Sequence, residues 1–353
     1  MKIGIAQLNH TVGDLAGNAA SILSAYEKLV ARGAELVVTP ELSLTGYPPR
    51  DLVFKSRFVP ETLDALSWLH ERVGEFPLLV GLVDYHTGSV GKPFANTAAL
   101  LRSGRPVEKV TKCLLPTYDV FDEARYFQPA ESVRPLEVGG VRVGVTICED
   151  IWSEEFLPSK LYVKDPPGAL AECGIDVLVN LSASPFHTGK PKERHAMLSF
   201  LARRLGSPVV YCNAVAGNDQ LVFDGNSIAI GADGQVLHQC GGFEEHLAIV
   251  DTAGDGAEYR PAEPMAELRG ALVLGLRDYL HKCGFRSAVV GLSGGIDSAL
   301  TAALAVEALG AENVLGITMP SQFSSGGSVD DSLALAENLG MRCETIPIEG
   351  AFE

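Results

Sequence analysis

Residues 141–152 read VRVGVTICEDIW. An apolar run rich in valine closes on Cys148, and two acids and a tryptophan follow. The run has the length and bounding residues of a β-strand. A cysteine at the corner where such a strand ends can present its sulfur at the sheet edge, with the next backbone N–H groups facing an oxyanion. The same position equally suits a small buried side chain. The residue alone does not choose between them.

Working outward, similar short runs recur at Lys2–Leu8, Glu35–Val38, Leu78–Val83, Thr97–Leu101, Asp176–Leu181, Pro208–Asn213, Ser227–Ile230 and His246–Val250, each punctuated by Gly, Pro, Asn or Asp. Helical spacing lies between them. Asn18–Ala31 carries Ile22, Ala25, Tyr26 and Leu29 on one face, and Leu63–Val73 and Glu193–Leu205 behave alike. Alternating strands and helices over residues 1–250 predict a layered α/β domain. Residues 251–264, DTAGDGAEYRPAEP, lose this periodicity and read as a linker. In residues 265–353 the pattern is helix (Met265–Lys282), strand (Ser287–Leu292), helix (Asp297–Leu309), strand (Val314–Thr318), helix (Asp330–Leu339) and strand (Cys343–Ile346). This predicts a second, parallel α/β domain. Three strands are few for an open parallel sheet, so that domain is expected to be incomplete.

Of the 353 residues, 46% are hydrophobic and 20% charged, enough apolar content for a core in each half. The net charge of −16 argues against nucleic acid and anionic membrane surfaces as partners, though not against a small anion held by local donors. The seven cysteines are scattered without a CxxC pair, which suggests neither a zinc site nor a disulfide framework and fits a reducing compartment. The start, MKIGIAQLNHTVGD, reads as a strand rather than a leader. No run approaches the roughly 18 apolar residues of a membrane span. A soluble cytoplasmic protein is expected.

Two further residues end predicted strands: Glu41, after ELVVTP, and Lys112, after VEKV. Each alone suits a solvated loop. Acyl transfer from an amide needs a nucleophile, a base and a cation for the developing oxyanion, and Cys148, Glu41 and Lys112 supply one of each. The order Glu–Lys–Cys and the words PELSLTGYPP, KCLLPTYDVFDEARYF and CEDIW resemble the nitrilase, or C–N hydrolase, superfamily over residues 1 to about 250, including the late GNSIAIGADGQVL hairpin. The resemblance implies an α-β-β-α sandwich. It implies Glu41 as general base, Lys112 as stabiliser of the tetrahedral intermediate, Cys148 as the nucleophile that forms a thioester, and Glu123 as the residue that orients Lys112. The CEDIW form resembles the glutaminase domains of NAD synthetases. There the resemblance implies glutamine contacts at Tyr118, Ser184 and Lys190, with Phe186 lining the pocket. Many relatives carry arginine at the position of Lys190. No cofactor is expected for this half.

The second motif is VVGLSGGIDSAL. A Gly-rich turn between strand and helix offers backbone N–H groups and a helix dipole to an anion, although a plain tight turn has the same composition. The word SGGIDS resembles the pyrophosphate loop of the ATP-pyrophosphatase family. It implies ATP phosphates at Gly291, Leu292, Ser293, Gly294, Gly295, Ile296, Asp297 and Ser298, and Mg²⁺ at Asp297. ITMPSQFSSGGSVDDSLALAENLG resembles the NAD synthetase branch, with its mobile Ser/Gly-rich loop. The pairing implies that glutamine-derived ammonia attacks ATP-adenylated nicotinic acid adenine dinucleotide, giving NAD⁺, AMP and pyrophosphate. It also implies a sheltered ammonia passage and a homo-oligomer. A chain ending at residue 353 is expected to act as a glutaminase alone. A stand-alone amidase for another small amide is the alternative reading.

Overall fold

The computed structural model describes residues 1–152, 155–156, 161–322, 324 and 326–351. The chain divides into two compact units, Met1–Ala216 with Phe223–Ala262, and Gly217–Val222 with Glu263–Glu353.

In chain order the first unit begins β1 (Lys2–Gln7), α1 (Leu15–Ala31), β2 (Leu36–Val38), α2 (Phe58–His70), β3 (Leu78–Tyr85), β4 (Phe94–Leu101) and β5 (Glu108–Thr111). It continues β6 (Leu136–Val138), β7 (Val141–Ile147), α3 (Pro166–Glu172), β8 (Val177–Ser182), α4 (Lys190–Leu205) and β9 (Val209–Asn213). The hairpin β10 (Val215–Asn218) and β11 (Leu221–Asp224), of which Gly217–Val222 belongs to the second unit, precedes β12 (Ile228–Ile230), β13 (Val236–Gln239) and β14 (His246–Asp251). Two six-stranded sheets result, ordered β14-β1-β2-β3-β4-β5 and β13-β12-β9-β8-β7-β6.

The sheets share a core. Ile3, Ile5, Leu36, Val38 and Leu79 from the first meet Val143, Val145, Ile147, Val177, Val179 and Leu181 from the second. The alternate residues Val37, Leu78, Val80 and Leu82 pack instead on Ile22, Tyr26 and Leu29 of α1 and Leu66 and Leu69 of α2. On the far side Leu178, Val209 and Tyr211 cover Leu170 of α3 and Met197, Leu198 and Leu201 of α4. The architecture is therefore helix–sheet–sheet–helix. Strands buried on both faces explain why the sequence shows unbroken apolar runs rather than clean alternation. Each of these side chains contributes roughly 1.5–3 kcal/mol by leaving water.

Strand direction places the site. β2 and β3 run parallel, while β3–β4 and β4–β5 are antiparallel, so β5 points the same way as β2. The segments after β2 and β5 thus leave the first sheet at one edge. In the second sheet β7, β8 and β9 are parallel, so the segments after β7 and β8 also share an edge.

Some boundaries differ from the sequence reading. Asp14 caps α1 by accepting from the Gly17 N–H at 3.0 Å, so the helix starts at Leu15 rather than Asn18. The helix expected over Leu63–Val73 begins at Phe58 and ends at His70, with Phe58, Val59 and Thr62 buried. Residues 251–262 belong to the first unit. The Ala257 N–H donates to the Val236 carbonyl at 2.6 Å, Arg260 and Gln239 exchange two bonds of 3.1 Å, and Tyr259 stacks on His195 at 3.8 Å. Composition there reported the loss of periodicity, whereas anchoring came from backbone pairing and one ring.

In the second unit α5 (Pro264–Lys282), β15 (Ala288–Leu292), α6 (Ile296–Leu309), β16 (Val314–Thr318), α7 (Gly326–Leu339) and β17 (Arg342–Thr345) follow one another, with the strands parallel in the order β15-β16-β17. Leu292, Ala302, Ala305, Leu309, Val314, Ala336 and Met341 form its core. Within the Ser/Gly-rich segment, Phe323 and Ser325 lie outside the described residues, as do the final two residues.

Candidate active site

Glu41 lies three residues beyond β2, in a segment that crosses β3 at Gly81. A Cβ on Gly81 would sit 2.4 Å from the Leu42 nitrogen and 2.6 Å from the Pro40 carbonyl oxygen, so only glycine lets the two backbones pass. Lys112 directly follows β5. Its ammonium donates to Glu41 Oε1 at 2.7 Å and to Glu123 Oε1 at 2.8 Å. Lys112, Glu41 and Glu123 are 0%, 1% and 4% exposed, so one buried cation bridges two buried carboxylates. Burial works against the Lys112 charge, but Glu123 and Glu41 outweigh it and hold the ammonium well above the usual lysine range. Burial raises Glu123; Lys112 pulls it down and Glu41 pushes it up.

The carboxylates are oriented by groups the sequence reading passed over. Asn96 on β4 donates to Glu41 Oε1 at 2.7 Å, the Ala183 N–H at the end of β8 donates to Glu41 Oε2 at 3.0 Å, and Tyr47 donates to Glu123 Oε1 at 2.9 Å. Tyr47 sits in the GYPP word already noted for its resemblance, which was its available signal. Asn96 had none, since an asparagine inside an apolar strand reads only as an interruption.

Cys148 opens a single 3-10 turn, Cys148–Ile151, after β7. Its φ of 42° is left-handed, a strained conformation for a side chain with a Cβ. Leu42, beside Glu41, has φ 46°. Burial pushes the Cys148 thiol well above its ordinary value; Glu41 pushes the same way, and Lys112 opposes them. The sulfur therefore lies within the field of both partners and rests as a thiol. Asp150 fixes the turn against the Lys112 segment: Oδ1 accepts the Cys113 and Leu114 N–H groups at 2.9 and 2.8 Å, and Oδ2 accepts from Ile147 at 3.0 Å.

Of the expected pocket residues, Tyr118 donates to Glu149 Oε1 at 2.8 Å, and Tyr162, missed in the sequence, donates to the same atom at 2.9 Å. Lys190 opens α4, with its ammonium 4.1 Å from the centre of the Trp152 ring. Burial lowers its pKa, and Arg194 adds to the effect. Ser184 is buried, and its N–H donates to Asn213 Oδ1 at 3.0 Å. Phe186 meets Phe243 edge to face at 5.3 Å. Tyr118 and Lys190 thus sit against the residues around Cys148, while Phe186 belongs to a neighbouring aromatic pair.

In the second unit the Gly291–Ser298 loop joins β15 to α6. Ser293 Oγ lies 3.1 Å from Ser298 Oγ, Ser298 Oγ donates to the Gly295 carbonyl at 2.9 Å, and the Ser293 N–H donates to Ser298 Oγ at 3.2 Å. Gly294 has φ 75°, and a Cβ there would lie 2.6 Å from backbone atoms of Ser328. A cavity of about 520 Å³ adjoins the loop, lined by Gly291, Ser293, Thr318, Met319, Ser324 and Ser328 among others. Asp297, on the first turn of α6, is exposed.

A buried Glu–Lys–Glu cluster thus lies in the field of a cysteine on a strained turn, inside a four-layer sandwich. The carbon–nitrogen hydrolase family model matches residues 2–261, and the chain belongs to that family. Residues 269–353 match the NAD synthase family model. The chain is 47% identical to a glutamine-dependent NAD(+) synthetase of Synechocystis sp. over 98% of its length and 64% of the relative's, and 38% identical to one of Thermotoga maritima over 100% and 66%. It spans about two thirds of these relatives. Among solved structures it resembles the glutamine-dependent NAD+ synthetase of Acinetobacter baumannii in complex with ADP, at TM-score 0.90 and 34% identity over 99% of this chain and 65% of that one. It also resembles a mutant amidase of Nesterenkonia sp. with acrylamide added at the active-site cysteine, at TM-score 0.59 and 25% identity over 71% of this chain and 92% of that one.

Proposed function

We propose that this chain carries the glutamine-hydrolysing half, and part of the ATP-using half, of a glutamine-dependent NAD⁺ synthetase. The observation that carries the reading is the buried Lys112 ammonium bridging Glu41 and Glu123 beside Cys148. In the proposed reaction Cys148 Sγ attacks the amide carbon of glutamine while Glu41 takes the thiol proton. The Lys112 ammonium faces the charge that develops on the carbonyl oxygen. The C–N bond then breaks, Glu41 returns the proton to the leaving nitrogen, and ammonia departs from a thioester. Water deprotonated by Glu41 cleaves that thioester to glutamate and restores the thiol. Glu123 holds Lys112 in place. Tyr118, Ser184, Lys190 and Phe186 are proposed to recognise glutamine, with Lys190 the cation for its α-carboxylate.

The hydrolase is proposed to extend from residue 1 through 262, because residues 251–262 of the segment 251–264 are anchored on the first unit, with 265–353 as the nucleotide-binding portion. For the latter, the loop Gly291–Ser298 is proposed to take ATP phosphates, because a left-handed Gly294 and the start of α6 leave backbone N–H groups free of Cβ shielding. An exposed Asp297 carboxylate near phosphate oxygens fits Mg²⁺, which accepts oxygen ligands and would offset phosphate charge. The acceptor of ammonia is proposed to be adenylated nicotinic acid adenine dinucleotide. The protein is proposed to work in the cytoplasm as a homo-oligomer; no helix among the described residues is long and apolar enough to cross a membrane.

Ammonia release from glutamine, measured beside asparagine and simple aliphatic amides, tests the substrate. Preference for glutamine that falls when Tyr118 or Lys190 is changed supports the proposal. Equal or faster turnover of the simple amides, unaffected by those changes, would point to a stand-alone amidase instead.

A further inference from the structure

Away from this site, residues 238–246 read HQCGGFEEH. His238 lies on β13, Cys240 follows it, and His246 opens β14. Their donor atoms, one per residue, all lie within 4.8 Å of one another. Cys240 is buried, and both histidines are partly buried. His238 Nε2 is itself buried and has no hydrogen-bond partner. A buried ring nitrogen without a partner calls for an explanation, because it gives up its bond to water and gains none in return.

We propose that His238, Cys240 and His246 form a zinc(II) site. Two imidazole nitrogens and one thiolate are donors of the type this borderline cation takes, at about 2.0–2.1 Å for nitrogen and 2.3 Å for sulfur. Those bond lengths require donor–donor edges of roughly 3.3–3.7 Å in a tetrahedron, so rotating the side chains inward by about 1 Å closes the site. On binding, Cys240 loses its thiol proton to solvent, one Zn–S bond and two Zn–N bonds form, and the ion sheds all but one of its roughly six bound waters, keeping that one in the fourth tetrahedral position. Three ligands from nine consecutive residues make the chelate local, so little loop-closure entropy opposes it.

The connecting turn is held in advance. Gln7 Nε2 donates to the Gly241 and Glu244 carbonyls at 2.8 and 2.7 Å. The Cys240 N–H donates to the Ser227 carbonyl at 2.8 Å and the Phe243 N–H to the Asp224 carbonyl at 2.9 Å. The position also gives the ion a task. β13 is the edge strand of one sheet and β14 the edge strand of the other, so a cation bound to both clips the open side of the sandwich. Phe243, inside the chelate loop, carries the edge-to-face contact to Phe186. A search for paired cysteines passes over this H-x-C-x5-H spacing because it contains only one.

The full chain, reduced and stripped with a chelator, is titrated with Zn²⁺ against a chromophoric competitor and, separately, with Co²⁺. The site predicts one equivalent of zinc, a thiolate-to-cobalt charge-transfer band with tetrahedral d–d bands, and a melting temperature that rises with zinc. His238→Ala and His246→Ala, each checked for native circular dichroism, should bind at least about tenfold more weakly, while His281→Ala on α5 binds as the parent does. Zinc should also shield Cys240 from alkylation in the unmutated chain, a readout that needs no variant to fold. Zinc affinity unchanged in both histidine variants, or a cobalt spectrum without the thiolate band, overturns the proposal.

Discussion

Replacing Lys112 by methionine keeps the length of the side chain and removes its charge. The ammonium makes two contacts, at 2.7 and 2.8 Å, with carboxylates that are almost wholly buried. At an effective dielectric of about 20, a pair 2.7 Å apart is worth roughly 6 kcal/mol before desolvation is counted. Losing one partner of a buried pair costs roughly 3–5 kcal/mol in practice, because the remaining charge is stranded. For a unit of this size that corresponds to a fall in melting temperature of roughly 6–20 °C. The sign of the pH dependence is also fixed. Burial already raises Glu123, and Lys112 is the group that pulls it back. Without the ammonium, the folded-state pKa of Glu123 climbs further above the unfolded value of about 4.3. A raised carboxyl adds stability below the unfolded value and loses it as pH rises through the folded one. The deficit of K112M against the parent should therefore widen from about pH 5 to about pH 8. Thermal denaturation followed by circular dichroism across that range measures it. A deficit below about 1 kcal/mol, or one that does not change with pH, would refute the claim that this cation holds two buried carboxylates.

Other outcomes follow from the same geometry. Arg194 and Asp224, nearly inaccessible and joined by bonds of 2.9 and 3.0 Å, predict a loss of roughly 3–5 kcal/mol in R194M by urea denaturation, with a loss under about 1 kcal/mol counting against a structural role. Gly294→Ala forces a Cβ to 2.6 Å from Ser328 and keeps a left-handed φ, at roughly 1–2 kcal/mol for the φ alone, so calorimetry should show ATP bound about tenfold or more weakly; undiminished binding would remove that loop from the nucleotide site. Because burial and Glu41 hold the Cys148 thiol well above its ordinary value, its alkylation rate in the free chain should keep climbing through pH 9. A plateau near neutrality would mean that the resting group is already a thiolate.

The placement of Glu41, Lys112 and Cys148 after strands β2, β5 and β7 could be read because each lies inside a distinctive local word that follows an apolar run. The layers could be read because the strands are apolar on both faces. Asn96 could not, since its value lies in reaching Glu41 from another strand, a relation that pairing creates and local sequence does not encode. The helix starts at Leu15 and Phe58 lie ahead of the apolar periodicity, which begins inside a helix, while Asp14 capping and the first buried turn set its true origin. The anchoring of residues 251–262 escaped for a similar reason, since a ring on His195 and a backbone bridge to Val236 leave no mark on composition. The H-x-C-x5-H chelate lay outside any search that counts cysteines in pairs.

In the proposed reaction Cys148 takes the acyl group of glutamine. Mass spectrometry of the intact chain and its peptides, after rapid acid quenching during turnover of glutamine, tests it most directly. A glutamyl adduct confined to the peptide containing Cys148, and absent from Cys148→Ala along with ammonia release, is the predicted result. Glutamine hydrolysis that persists in Cys148→Ala, or an adduct on another residue, would contradict it.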